Sequence, residues 1–414
     1  MTVDFRPDPT SGKMPPVAGT SAHTADFLIS GPGHEIAFEK GQQRLAEGGL
    51  DSLAARAEAW FAANDGADDG DGPDNPAIRG FGQYLAGAVP YDRLSGDYLF
   101  AARPVTAAQN AGAAQNAGPA PAAATTKPII TAEPTPARYR QAVAEAVARI
   151  SQGEFSKIVL SRSLLLEAGR DWDPALLLTR MRADRLATLF SVPLRPRKPG
   201  LVRRLIGATP ELLVEKRGAL VASHPLAGSA RRRADPDQDQ VEGQALLASD
   251  KNRREHEMAA QMVLDTLAPF CRNLSAPQGV SLTATARMWH LGTRIEGELK
   301  DPDTPCATLL AALHPTPAVG GLPRAAAEAA LPGLEGYDRG FYAGAVGWLD
   351  RAGDGCWYLA LRCAEIEGPL ARLYAGAGIV RGSDPVAEEE ETSAKFLAML
   401  AAFDVEDSAR MPPR

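Results

Sequence analysis

Residues 373–399 read LYAGAGIVRGSDPVAEEEETSAKFLAM, and their pattern sets the terms for the rest of the chain. An apolar run into Val380 has the character of a buried strand, the segment around Gly382 that of a turn, and the residues from Pro385 that of a helix. Gly376 and Gly378 permit close backbone approach or φ values that other residues avoid. Asp384 suits a helix N-cap and Pro385 the first helical position. Glu388, Glu391 and Lys395 follow at spacings that place them on one helical face. Two carboxylates and an amine beside a glycine floor suit a small anionic substrate bound with a hard cation. Acids in a first helical turn also complement the helix macrodipole, and Glu391 with Lys395 also suits a surface pair. On this stretch alone both readings stand.

Working outward, the chain of 414 residues is 45% hydrophobic and 23% charged, an ordinary globular composition. A formal net charge of -7 argues against a general nucleic-acid binder. Arginines cluster at 231–233 and 253–254, but acids flank both groups, as on solvated faces. No apolar run reaches the roughly 20 residues that span a bilayer. The N-terminal MTVDFRPDPTSGKMPP has acids and prolines where a signal peptide needs an apolar core, so a cytoplasmic protein is expected. Cys271, Cys306, Cys356 and Cys363 show no CxxC spacing and are expected as buried free thiols. The six histidines form no HExxH motif.

Residues 1–24, rich in Pro, Gly and Thr, are expected to be a disordered tail, and residues 25–414 one domain. Residues 45–61 have amphipathic helical character, and residues 66–75 form an acidic Gly/Asp loop. Residues 107–127, AAQNAGAAQNAGPAPAAATTK, are a low-complexity insertion with few large apolar side chains, expected to be flexible. From Pro134 onward, strand and helix signals alternate. Helices are predicted over 138–150 and 250–270, and strands over 156–161, 186–192, 344–349 and 357–366, with residues 288–298 as one further element of the series. With no linker and no repeat period, this region reads as one large α+β domain.

Several residues within it invite chemistry. Lys157 lies in an apolar strand, either as a general base whose pKa burial lowers or as a strand-end lysine whose amine snorkels to water. Glu211, followed by Leu212-Leu213-Val214, reads as a proton donor with a raised pKa or as a strand-edge acid facing solvent. Glu255, in DKNRREHEMAAQMVLDTL, could join a carboxylate of the last helix in holding Mg²⁺, or lie on a merely solvated face. Its neighbour His256 reads as a packing residue. Arg362, in an apolar strand-like run, calls for a carboxylate partner, and a substrate would serve. Gly376, Gly378 and Gly382 mimic a dinucleotide fingerprint, but the spacing is GxGxxxG and the helix start carries acids that repel a pyrophosphate.

The order of motifs along the chain is more specific than any one of them. KIVLSR (157–162), GATPELL (207–213), HPLAGSARR (224–232), DKNRREHE (250–257), MWHLGT (288–293), LHPTPAVGGLP (313–323), GFYAGAVGW (340–348), LALRCAEI (359–366) and AGAGIVRGSDPVAEEEETSAK (375–395) together resemble the chorismate-utilising enzymes. The resemblance covers about residues 134–403, with GAVPYD preceding them. It implies a single α+β domain in which large antiparallel β-sheets face each other around a central cleft, with helices outside. The lysine at 157 and Pro225-Leu226-Ala227-Gly228 in place of a PIKG motif are similar to the isochorismate synthases. The implied reaction is Mg²⁺-dependent isomerisation of chorismate to isochorismate.

On this resemblance Lys157 activates water and Glu211 protonates the departing hydroxyl. Glu255 and Glu391 hold Mg²⁺, with Glu388 holding a water on it. Arg362 and the Gly376 backbone take the enolpyruvyl carboxylate, and Gly228, Ser229, His290 and Lys395 complete the pocket. Asn252 stands where several relatives have an acid. The resemblance implies a monomer whose partner is chorismate, with neither nucleic acid nor membrane involved. It places the reaction in catecholate siderophore synthesis, with menaquinone synthesis as the other destination. A salicylate synthase and a non-catalytic chorismate-binding subunit are the alternatives.

Overall fold

The computed structural model describes residues 25–32, 34–64, 81–105, 127–182 and 184–405. The expected N-terminal tail, the 66–75 loop and residues 107–126 of the low-complexity segment lie outside them.

Two eleven-residue strands, Lys157–Glu167 and Leu370–Val380, make the spine. Both are almost wholly buried, which explains why they read as continuous apolar runs. They pair antiparallel over their full length, from Lys157 opposite Val380 to Glu167 opposite Leu370. Paired residues share a sheet face, so Lys157, Val159 and Ser161 project with Gly376 and Gly378.

From this pair the hydrogen bonds continue into one ribbon of seventeen strands. On one side lie Ile129–Glu133 and the short Gly321–Leu322. On the other the order is Cys363–Glu367, Arg203–Thr209, Thr188–Leu194, Phe27–Gly31, His34–Arg44, Tyr98–Pro104 and Tyr84–Val89. It then passes through Ala345–Asp350, Gly355–Leu359, Leu212–Arg217, Leu220–His224, Ile295–Leu299 and Cys271–Ser275. Each of these pairings is antiparallel. Strands from both halves bury Phe27, Phe38, Phe100, Phe190, Trp348 and Trp357 in one core. A separate three-stranded sheet, Leu226–Arg231, Met288–Thr293 and Val280–Ala284, packs under helices Pro236–Ala248 and Asp250–Leu267.

Helices Pro136–Ser151, Arg324–Glu335 and Pro385–Ala402 cover the spine through Tyr139, Ile158, Leu160, Leu334, Ile379, Phe396 and Met399. The expected α+β fold is present, with the facing sheets formed by one continuous ribbon. Four helices start alike: Thr135, Asp173, Asp235 and Asp384 cap them, each followed by proline. Three predictions need correction. The helix placed over 45–61 begins only at Leu53, after Gly48-Gly49 and a short 3₁₀ turn. The stretch 357–366 is two strands, not one, because Arg362 takes φ +46° and breaks the run. Residues 288–298 likewise divide into two strands.

Candidate active site

A cleft of about 600 Å³ opens between the spine, the small sheet and the C-terminal helix. Its floor is glycine for a spatial reason. A Cβ on Gly378 would lie 2.1 Å from Glu255 Oε1, and one on Gly376 would lie 2.9 Å from the Tyr342 hydroxyl. Of the two roles considered for these glycines, close approach is the one the structure uses. Gly228 differs: its φ of +77° is one that side-chain-bearing residues rarely adopt.

Asp384 accepts from Val386 N at 3.0 Å and Ala387 N at 2.9 Å, fixing the start of the last helix as predicted. The face of Glu388, Glu391 and Lys395 turns inward. Lys395 Nζ donates to Gly376 O at 2.8 Å and to Glu391 Oε1 at 2.6 Å, and Ser229 Oγ donates to Glu391 Oε1 at 3.0 Å. Lys251, from the adjacent helix, donates to Glu388 Oε1 at 2.8 Å. Lys157 Nζ lies 3.1 Å from Glu255 Oε1, close enough for an ion pair but without hydrogen-bond alignment. Three carboxylates and three lysine side chains therefore meet at one end of the cleft. The surface-pair reading of Glu391 and Lys395 is excluded.

Burial alone raises the Glu391 carboxyl, but the Lys395 charge and the bonds from Lys395 and Ser229 hold it below the usual range. Glu388 is raised, by burial first and by the Glu391 charge second. Glu211, 3% exposed, sits on the facing wall just before Leu212–Arg217. Burial pushes its carboxyl up to about 8, against the pull of a 3.3 Å bond from Leu226 N and of the Lys157 and Arg362 charges. The solvent-facing alternative for Glu211 is thus overturned. The fully buried Lys157 amine likewise does not snorkel to water.

Arg362 lies at the break between its two strands, where the left-handed backbone sets its side chain on the cleft wall. Burial lowers its pKa. Among the described residues its guanidinium has no hydrogen bond or ion pair to a carboxylate, so an anionic ligand is the partner it lacks. His290 is opposite Ser229 in the small sheet. Burial holds it well below its ordinary pKa, hence neutral, and its Nε2 is buried without a hydrogen-bond partner among the described residues. His256 packs as expected, with Nε2 2.7 Å from Thr293 Oγ1.

Gly228, Ser229, Glu255, His290, Arg362, Gly376, Glu391 and Lys395 line the cleft with Glu211. Lys157 lies just beneath the floor, and Glu388 behind Glu391. Sequence reasoning gave no role to Tyr342, whose ring stacks on Tyr374 at 4.9 Å and walls the cleft. Nor did it single out Lys251, whose helix reads as alternating surface charge. Asn252 bonds Ser249 Oγ at 2.9 Å and packs beneath Gly228. Among the described residues no three His, Cys, Asp or Glu groups close a metal cage. Glu255 and Glu391 each keep a second carboxylate oxygen outside any hydrogen bond described, a donor set that fits Mg²⁺, which takes one or two carboxylates and otherwise water.

A glycine-floored cleft with paired acids and an unmatched arginine, set in this ribbon, defines a class. Residues 101–404 match the family model described as chorismate binding enzyme, and the chain belongs to that family. Isochorismate synthase DhbC of Bacillus subtilis is 43% identical over 326 residues, covering 78% of this chain and 81% of the relative. Isochorismate synthase EntC of Escherichia coli K12 is 40% identical over 273 residues, 66% of this chain and 68% of the relative. The crystal structure assigned as a 2,3-dihydroxybenzoate-specific isochorismate synthase, DhbC of Bacillus anthracis, superposes with a TM-score of 0.81 at 34% identity, covering 92% and 97% of the two chains.

Proposed function

We infer that the chain is an isochorismate synthase, adding water at C2 of chorismate as the C4 hydroxyl leaves. The observation that carries the mechanism is Glu211, a carboxyl on the cleft wall held at about 8 and so protonated at neutral pH. It donates its proton to the C4 hydroxyl, which departs as water when the C–O bond breaks. Lys157, whose amine has no aligned hydrogen-bond partner among the described residues, takes the proton from the attacking water. The water oxygen bonds to C2 and the ring double bond shifts, so substrate and product are isomers.

Arg362 takes the enolpyruvyl carboxylate beside Gly376, and neutral His290 offers its unmatched Nε2 to a polar group of the substrate. Glu255 and Glu391, with Glu388 behind them, would hold Mg²⁺, which when bound would counter the charge of the ring carboxylate and orient it. Among the described residues no helix is long and apolar enough to cross a membrane. We assign the protein to the cytoplasm as a monomer acting on free chorismate, in line with its ordinary composition. The 2,3-dihydroxybenzoate-specific relative favours the siderophore branch over menaquinone.

The test is chorismate turnover with and without Mg²⁺, with products separated chromatographically. Isochorismate formed only with the metal is the expected result. Salicylate with pyruvate would make the chain a salicylate synthase, and binding without turnover would make it a silent subunit.

A further inference from the structure

The strand Lys157–Glu167 has a gap along one edge. Gly321–Leu322 pairs with Lys157 and Ile158, Ile129–Glu133 pairs with residues 163–167, and residues 159–162 face no strand on that side. Val159 N still donates to Gly320 O at 2.6 Å, and side chains fill the rest of the gap. Ser161 N donates to Glu335 Oε1 at 2.6 Å and Ser161 Oγ to the same oxygen at 2.8 Å. Arg339 donates to Val159 O at 2.7 Å and to Val319 O at 2.7 Å. The two side chains also grip each other, Arg339 Nε to Glu335 Oε2 at 2.9 Å and Nη2 to Oε1 at 2.6 Å. Both are buried, at 5% and 4% exposure. Tyr337 closes the outer end at 2.5 Å from Ser161 Oγ, and Arg339 lies 4.3 Å over the Tyr91 ring.

An ion pair thus does the work of a missing strand, where the spine forms the cleft floor. The groups it holds are substrate-facing: Val159 and Val319 line the cleft, and the Arg339 carbonyl accepts from the amide of Tyr342, which lines it too. Glu211, Glu255, Glu391 and Lys395 stand on other elements, and Lys157, on the same strand, is held outside the gap by its pairing with Leu322. We propose that Glu335 and Arg339 are positioning residues that hold the substrate-facing wall in place, setting the grip on chorismate rather than the rate of the chemical step. The proposal rests on the isochorismate synthase reading.

Burying one member of the pair without the other threatens folding. The test therefore uses Ser161→Ala, which leaves the pair intact, and the double variant Glu335→Gln/Arg339→Gln, which leaves no unmatched charge. Steady-state kinetics and thermal unfolding are recorded for both. The expected result is a KM for chorismate raised about threefold in Ser161→Ala and about tenfold in the double variant, with kcat within about threefold of the parent. That KM should stay raised even where the double variant unfolds at the parent's temperature, since glutamine at 339 cannot reach both carbonyls. A KM equal to the parent's in Ser161→Ala and in any folded double variant overturns the proposal, as does a fall in kcat at constant KM. If the double variant does not fold, Ser161→Ala decides. An unmodified enzyme that does not turn over chorismate overturns the isochorismate synthase reading instead, which the parent assay reveals before any variant is compared.

Discussion

A single buried carboxyl gives the sharpest handle on the chemistry. Glu211 keeps its proton to about 8 in the folded protein, whereas an ordinary glutamate loses it near 4.5. As a proton donor it must be protonated, so kcat should fall as pH rises through about 8, and Glu211→Gln should lose about 10²–10⁴-fold in kcat. A pH–rate profile with no alkaline limb would remove Glu211 from the acid role. The same shift bears on stability. Between about 4.5 and 8 the folded state binds the proton that the unfolded state has released, so stability falls as pH rises through that interval. Each pKa unit is worth about 1.4 kcal/mol. Glu211→Gln should flatten this slope in denaturant titrations at several pH values. Lys157→Met should abolish turnover with little change in chorismate binding; measurable kcat near the parent's would refute the base assignment. Gly378→Ala places a methyl group against Glu255, and a titration of activity against Mg²⁺ should show both a lower plateau and a higher half-saturation. An unchanged titration would detach Glu255 from the metal.

At the scale of elements, the C-terminal helix stands on Asp384. Its carboxylate serves two amides in the first turn, which also carries Glu388. Asp384→Ala should cost about 1 kcal/mol, read as a lower unfolding midpoint, with kcat reduced far less than by loss of Glu391. An unchanged midpoint would mean that Pro385 and packing suffice. This helix was legible in the sequence because cap, proline and charge spacing agree locally. Lys157, Glu211, Glu255 and Arg362 were each ambiguous alone, since a charged residue in an apolar run looks the same whether it meets solvent or a cleft. Only the ordered motifs resolved them. The break at Arg362 was not legible, because a positive φ at arginine leaves no mark in an otherwise strand-like run. Tyr342 escaped because an aromatic among small residues reads as core, and the Glu335–Arg339 pair because the strand backbone groups it bonds lie 174 and 180 positions away.

Over the whole molecule, what was invisible is the pairing order. Phe27–Gly31 pairs with Thr188–Leu194, and Tyr84–Val89 with Ala345–Asp350, contacts that composition and periodicity do not encode. One ribbon running through both halves, over a shared core, should melt as a unit, with one calorimetric transition common to far-UV and tryptophan signals. Two resolved transitions would divide the chain into separately folding parts. The pairing of Lys157–Glu167 with Leu370–Val380 also has a meaning in time. On the ribosome the first strand emerges some two hundred residues before its partner, at about 5–20 residues per second. For that interval its apolar backbone edge is open to any other extended chain, and neither Glu391 nor Lys395 has yet been made. The catalytic centre is therefore incomplete until synthesis has passed Lys395, and a ribosome that stalls before residue 370 releases a product that is inert and adhesive at once.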